Sequence, residues 1–169
     1  MIRNLSRSLV AMAAMLLAGQ AQAGPVECEA IQNAYKAVAS VPGYRQVVDM
    51  PGLSTKMESV VIGDMIYARM DDKWRKIPLK PGGRIGMLTA LLDMTSIFDC
   101  KELRSETLPA GRVKVFEYMM TPPKGLPGAG TKPARQVAWI GVTDGLVHRM
   151  TSDDTTIELD FRTQIPPIP

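Results

Sequence analysis

The sequence predicts an α+β protein: a curved antiparallel β half-barrel of about nine strands, with an N-terminal helix and an inserted apolar helix packed on the concave face. Three observations lead to this. The first stretch after the leader carries a helical apolar stripe. From Tyr44 onward the apolar period drops to two. Most connections between candidate strands are tight Gly, Pro or Asp turns, which join antiparallel neighbours. Composition agrees, since 46% of the 169 residues are hydrophobic and 22% charged, as in a globular chain and unlike a disordered one.

Residues 1–23 read as a cleaved signal peptide. Arg3 and Arg7 form a positive start, Leu9–Ala18 is an apolar run too short to span a bilayer, and Ala21-Gln22-Ala23 is an A-x-A cleavage site. Residues 24–169 are then expected to form a single exported domain, periplasmic or secreted, with no transmembrane span. The formal charge of +3 belongs partly to the leader. Without Arg3 and Arg7 the basic and acidic residues nearly balance, which leaves no electrostatic footprint for nucleic acid. In an oxidising compartment the two cysteines, Cys28 and Cys100, are expected to form a structural disulfide, since a redox pair needs the close spacing of a CxxC motif.

The elements follow in order. Residues 26–41 read as a helix, because Cys28, Ile31, Tyr35 and Val38 recur at spacings of 3, 4 and 3, and Pro42-Gly43 stops it. Tyr44–Asp49 is a strand. Met57–Ile62 and Met65–Met70 flank Gly63-Asp64, a Gly-X pair suited to a type II′ hairpin. That turn sets Ile62 opposite Met65, Val60 opposite Tyr67 and Glu58 opposite Arg69. A short strand over Trp74–Ile77 follows a turn at Asp71-Asp72. Residues 85–98 leave little polar face, which predicts a buried helix running into Cys100. Lys101–Leu108 and Arg112–Met119 read as strands joined across Pro109-Ala110-Gly111.

Residues 121–135, rich in Pro and Gly with Lys124, Lys132 and Arg135, read as a long exposed loop. The final meander has two faces. Val137–Val142 and Leu146–Thr151 flank Thr143-Asp144-Gly145, and Thr156–Phe161 returns beyond Ser152–Thr155. One face collects Ala138, Met150 and Ile157, then Ile140, His148 and Leu159, then Val142, Leu146 and Phe161, and is expected to be core. The other is expected to face solvent, with Arg149 over Trp139 and paired with Glu158.

Chemistry is sparse. The one histidine, His148, falls on the core face beside apolar neighbours, without the nucleophile and acid that a triad requires. The Asp71-Asp72 and Asp153-Asp154 pairs sit in turns, where aspartate bonds its own backbone, and neither has calcium-loop spacing. No catalytic residue, metal ligand or cofactor is assigned, and a non-enzyme is expected. Twelve methionines, three of them in the leader, suit an adaptable apolar surface.

Three stretches resemble the periplasmic lipoprotein-carrier family (LolA/LolB-like): Tyr44-Arg45-Gln46; Gly63-Asp64-Met65-Ile66-Tyr67 followed by Trp74; and Val137-Ala138-Trp139-Ile140 leading to Asp144-Gly145-Leu146. The family's Arg-Pro-Gly stretch on an early strand has no match here. The resemblance implies a half-barrel whose helices cover an apolar concavity. The expected function is therefore that of a non-enzymatic exported protein holding a lipid, acyl chain or other apolar ligand. Tyr67, Met65, Leu88, Leu91, Leu92 and Phe98 are the candidate ligand-binding residues. The alternative is a periplasmic protein-binding module (an inhibitor, immunity-type or envelope-assembly factor) using loop 121–135 or the Trp139/Arg149 face.

Overall fold

The computed structural model describes residues 25–52, 54–70, 72–79, 82–122, 132–162 and 164–168. The expected leader and the centre of the expected 121–135 loop lie outside these residues. Two helices and nine strands alternate as α1 (Pro25–Ser40), β1 (Gly43–Asp49), β2 (Met57–Ile62), β3 (Met65–Met70), β4 (Lys73–Pro78), α2 (Gly83–Asp93), β5 (Ser96–Leu108), β6 (Gly111–Thr121), β7 (Ala134–Gly141), β8 (Val147–Ser152) and β9 (Thr155–Asp160). The strands form one open antiparallel sheet in the order β4-β3-β2-β1-β9-β8-β7-β6-β5. Chain order is kept except at one place, where β9 returns to pair with β1 and joins the two halves.

Short-range turn chemistry sets the register as expected. Gly63 takes φ +52° while Asp64 stays at negative φ, and the pairs Ile62–Met65 and Val60–Tyr67 follow. Arg69 reaches Glu58 at 3.7 Å across the same hairpin. In the β8–β9 turn Asp153 adopts φ +49°, a left-handed conformation that aspartate tolerates.

The helix stripe of α1 lies on one face of the sheet. Ile31 and Ala34 pack with Cys100, Phe116, Tyr118, Ala138, Ile140 and Val147, while Val38 joins Tyr44, Val61, Leu146 and Leu159. Cys28 and Cys100 are disulfide-bonded, with Cα atoms 5.2 Å apart, and tie the start of α1 to β5. Among the described residues no helix is long and apolar enough to cross a membrane.

The structure corrects three expectations. The predicted helix over 85–98 ends at Asp93, and Ile97 and Phe98 belong to β5. Nor is α2 buried: it packs on α1 and touches the core through Leu88, whereas Ile85 is 61% exposed and Met87, Leu91 and Met94 are also exposed. An apolar sequence marks surface that avoids water, but only a partner element removes that surface from water.

The second correction concerns the meander. A bulge falls between Trp139 and Ile140, so Ile140 pairs with Val147 and His148 is the extra residue. Beyond it the register moves by one: the Gly141 N–H donates to the Leu146 carbonyl, Val147 is buried in the helix-side core, and Val142 is half exposed instead of core. Third, the face away from the helices is not simply solvated. Val113, Val115 and Trp139 form a small second core there, with Leu108 and Val137 against it.

Candidate functional site

Strand alternation separates two surfaces. Ile66 packs with Tyr44, Val61 and Leu88 on the helix side, so Ala68, Met70, Ile77, Ser59 and Met57 share that side by period and register. Met57, Met70 and Ile77 are 45%, 47% and 39% exposed. On α2, Met87, Leu91 and Met94 recur at spacings of 4 and 3, one exposed apolar stripe beside the inward-facing Arg84 and Leu88. The helix side of β2–β4 and this flank of α2 therefore carry apolar surface, mostly methionine and leucine, that the described residues leave unfilled, bordered on β4 by the exposed Lys73 and Arg75, which share this side with Ile77. Such a surface adapts to flexible apolar chains.

The expected ligand set divides between the faces. Leu88 packs on the core, Leu91 lies on the exposed stripe, and Leu92 lines a small cavity with Gln32, Lys36, Asp93, Thr95 and Ile97. Met65 and Tyr67 alternate with Ile66 and so face away from the helices, where Tyr67 is buried and Lys76 Nζ stands 5.9 Å over its ring. Phe98 likewise points opposite Ile97, which packs on the helix-side core. The structure thus brings the three leucines together on one helix and leaves Met65, Tyr67 and Phe98 on the far face.

His148 has surroundings its apolar neighbours in sequence do not suggest. It is buried, its Nε2 lies 3.0 Å from Asp144 Oδ2, and its ring meets Phe161 edge-on at 5.4 Å. Asp144 also accepts the Leu146 N–H at 3.0 Å and so pins the hairpin turn. The bulge is what swings His148 back over this turn. A cavity of about 590 Å³ adjoins the pair, lined by Arg45, Arg149, Arg162, Glu158 and Asp160 among others, with no hydroxyl or thiol nucleophile in its lining. Its arginines are occupied: Arg45 by Glu58 at 2.6 Å, Arg149 by Glu158 at 2.7 Å and Arg162 by Asp160 at 2.5 Å. Arg162 holds the Asp160 carboxyl below its ordinary range. This cavity is a network of satisfied charges around a turn-bracing histidine.

The Trp139/Arg149 face has the arrangement expected of it, with the guanidinium 5.6 Å over the indole. Trp139 is buried, however, and its indole N–H donates to Glu106, so the tryptophan is held within the protein's own surface.

Arg84 is the residue that sequence reading missed. It is 6% exposed on the inner side of α2, lies 6.0 Å over the Tyr44 ring, and donates from Nη2 to the Val41 carbonyl. Its Nε and Nη1 have no partner among the described residues. In sequence Arg84 follows Pro81-Gly82-Gly83 and reads as a solvated charge after a turn, so no local signal marks it.

The protein is, by architecture, an open antiparallel sheet carrying two helices on one face. The solved structures of two mycobacterial proteins, the lipoprotein LppX and LprF, share it. LppX of Mycobacterium tuberculosis superposes with a TM-score of 0.53 at 16% identity, covering 84% of this chain and 98% of its own. LprF of Mycobacterium bovis superposes with a TM-score of 0.55 at 12% identity, covering 88% and 99%. At these identities the likeness is one of fold. No protein-family model matches the chain, and no curated protein matches it.

Proposed function

We propose that this chain is a non-enzymatic exported protein that holds a lipid, acyl chain or other apolar ligand on the helix side of its sheet. The observation that supports this reading is the unfilled apolar surface of α2 and β2–β4, where Met87, Leu91 and Met94 stand exposed on the same side as Met57, Met70 and Ile77. Burying a chain there removes apolar area from water at about 25 cal/mol per Å² and needs no directional contact. Of the expected set, Leu91 belongs to this stripe and Leu88 borders it, with the methionines as the adaptable part of the wall. Export fits the Cys28–Cys100 disulfide and the 1–23 leader.

Native mass spectrometry of protein recovered from the exporting cell's envelope, followed by titration of delipidated protein with acyl chains, tests the reading. Co-purifying lipid or saturable chain binding is expected. Protein that is always empty and shows no affinity for chains of any length would overturn it.

A further inference from the structure

The helix-side apolar surface has one buried cation in its wall. Arg84 forms no salt bridge among the described residues, and only one of its three guanidinium nitrogens has an acceptor, a neutral carbonyl. The Asp64 carboxylate is engaged elsewhere, taking the backbone N–H of Arg84 at 3.2 Å at the start of α2. The guanidinium meets Tyr44 and the Val41 carbonyl, and Val41 and Leu88 pack on the core cluster that contains Tyr44. A buried cation with donors left unpaired is costly, and a charge-assisted fork onto an oxyanion relieves that cost.

Arg84 is carried by α2, which is held at its start by the Arg84 N–H to Asp64 and by Nη2 to the Val41 carbonyl. α2 packs on α1, and its inward contact to the sheet core runs through Leu88. Outward movement of α2 would therefore draw Nη2 off the Val41 carbonyl, with Nε open beside it.

We propose that Arg84 is the receptor for the anionic head, a carboxylate or a phosphate, of an amphiphilic ligand whose chain lies along α2 and β2–β4. This rests on the apolar-ligand reading and narrows it to anionic amphiphiles. Nη2 exchanges the Val41 carbonyl for a head-group oxygen and, with Nε beside it, completes the fork. A neutral chain would fill the same surface and leave the guanidinium unsatisfied.

The test compares 11-(dansylamino)undecanoic acid with its methyl ester, and inorganic phosphate alone, on the delipidated full-length protein. The acid is expected to bind about tenfold more tightly than the ester, the scale of one charge-assisted contact. Arg84→Gln is expected to bring the ratio close to one with ester affinity retained. The Arg84 Nε–Hε resonance of the unaltered protein, assigned with Arg84→Lys, should move with the acid and not with the ester, which keeps the test independent of whether Arg84→Gln folds. Equal binding of acid and ester overturns the head-group assignment and leaves the apolar-ligand reading standing. An unmoved Arg84 resonance, or an acid preference that survives Arg84→Gln, does the same. Arg84-dependent binding of inorganic phosphate without an acid preference would make this a free-anion site and overturn the head-group role. Failure of both acid and ester to bind overturns both readings.

Discussion

At the scale of single residues, buried polar groups define what this protein tolerates. Tyr35 and Tyr118 share a hydrogen bond of 2.5 Å between their hydroxyls, at the centre of the α1–sheet interface. Burial raises both phenols above their ordinary value of 10, strongly so at Tyr118, where the neighbouring Tyr35 raises it further. The folded protein therefore holds protons that the unfolded chain releases above pH 10. Stability from this pair is complete below pH 10 and falls as pH rises beyond it. Tyr118→Phe should cost about 1 kcal/mol at neutral pH, through the hydroxyl left on Tyr35, and should flatten the alkaline fall. Urea melts across the pH range would check both, and an alkaline slope unchanged in the variant would contradict them. Neither tyrosine's role is visible locally, since the two are 83 positions apart. The same holds for Arg84 and for the Asp144–His148 contact, which exists because a bulge displaces one residue.

At the scale of elements, the hairpins were legible and the inserted helix was not. The β2–β3 register follows from Gly63-Asp64 alone, since a two-residue turn leaves one pairing. Gly63→Ala would place a Cβ in open space at φ +52°, so its cost is conformational, about 1 kcal/mol, read as a lowered unfolding midpoint with an unchanged m-value. A cost near zero would mean that the turn relaxes to another type. For α2, apolarity all round predicts burial, yet the helix buries one narrow side. Leu88→Ala should destabilise by about 2 kcal/mol because Leu88 reaches the core, while Met87→Ser should stay within about 0.5 kcal/mol. Equal destabilisation by the two would show that α2 is enclosed in solution. Beyond the bulge in β7–β8, period-two reading puts Val147 on the solvent face, whereas it is buried in the helix-side core, because one extra residue on β8 inverts the side chains on its far side.

At the scale of the whole molecule, closure depends on contacts far apart in the chain. β9 returns to β1, and the disulfide joins residues 72 positions apart. Cross-linking so long a loop restricts the unfolded chain by about 4 kcal/mol on the loop-entropy model. The Cys28→Ser/Cys100→Ser double variant should lose stability on that scale and keep the same sheet, as denaturant melts and circular dichroism would show. Loss of the fold itself would make the cross-link a folding requirement. Periodicity, turn residues and cysteine count are local quantities, and they specify the strands, the first helix, most of the register and the disulfide. Three features lie beyond them: which face of α2 meets water, the bulge that turns His148 onto Asp144, and the burial of Arg84 without an anion. Each depends on distant elements competing for the same surface, and such a competition is settled only when the chain packs against itself.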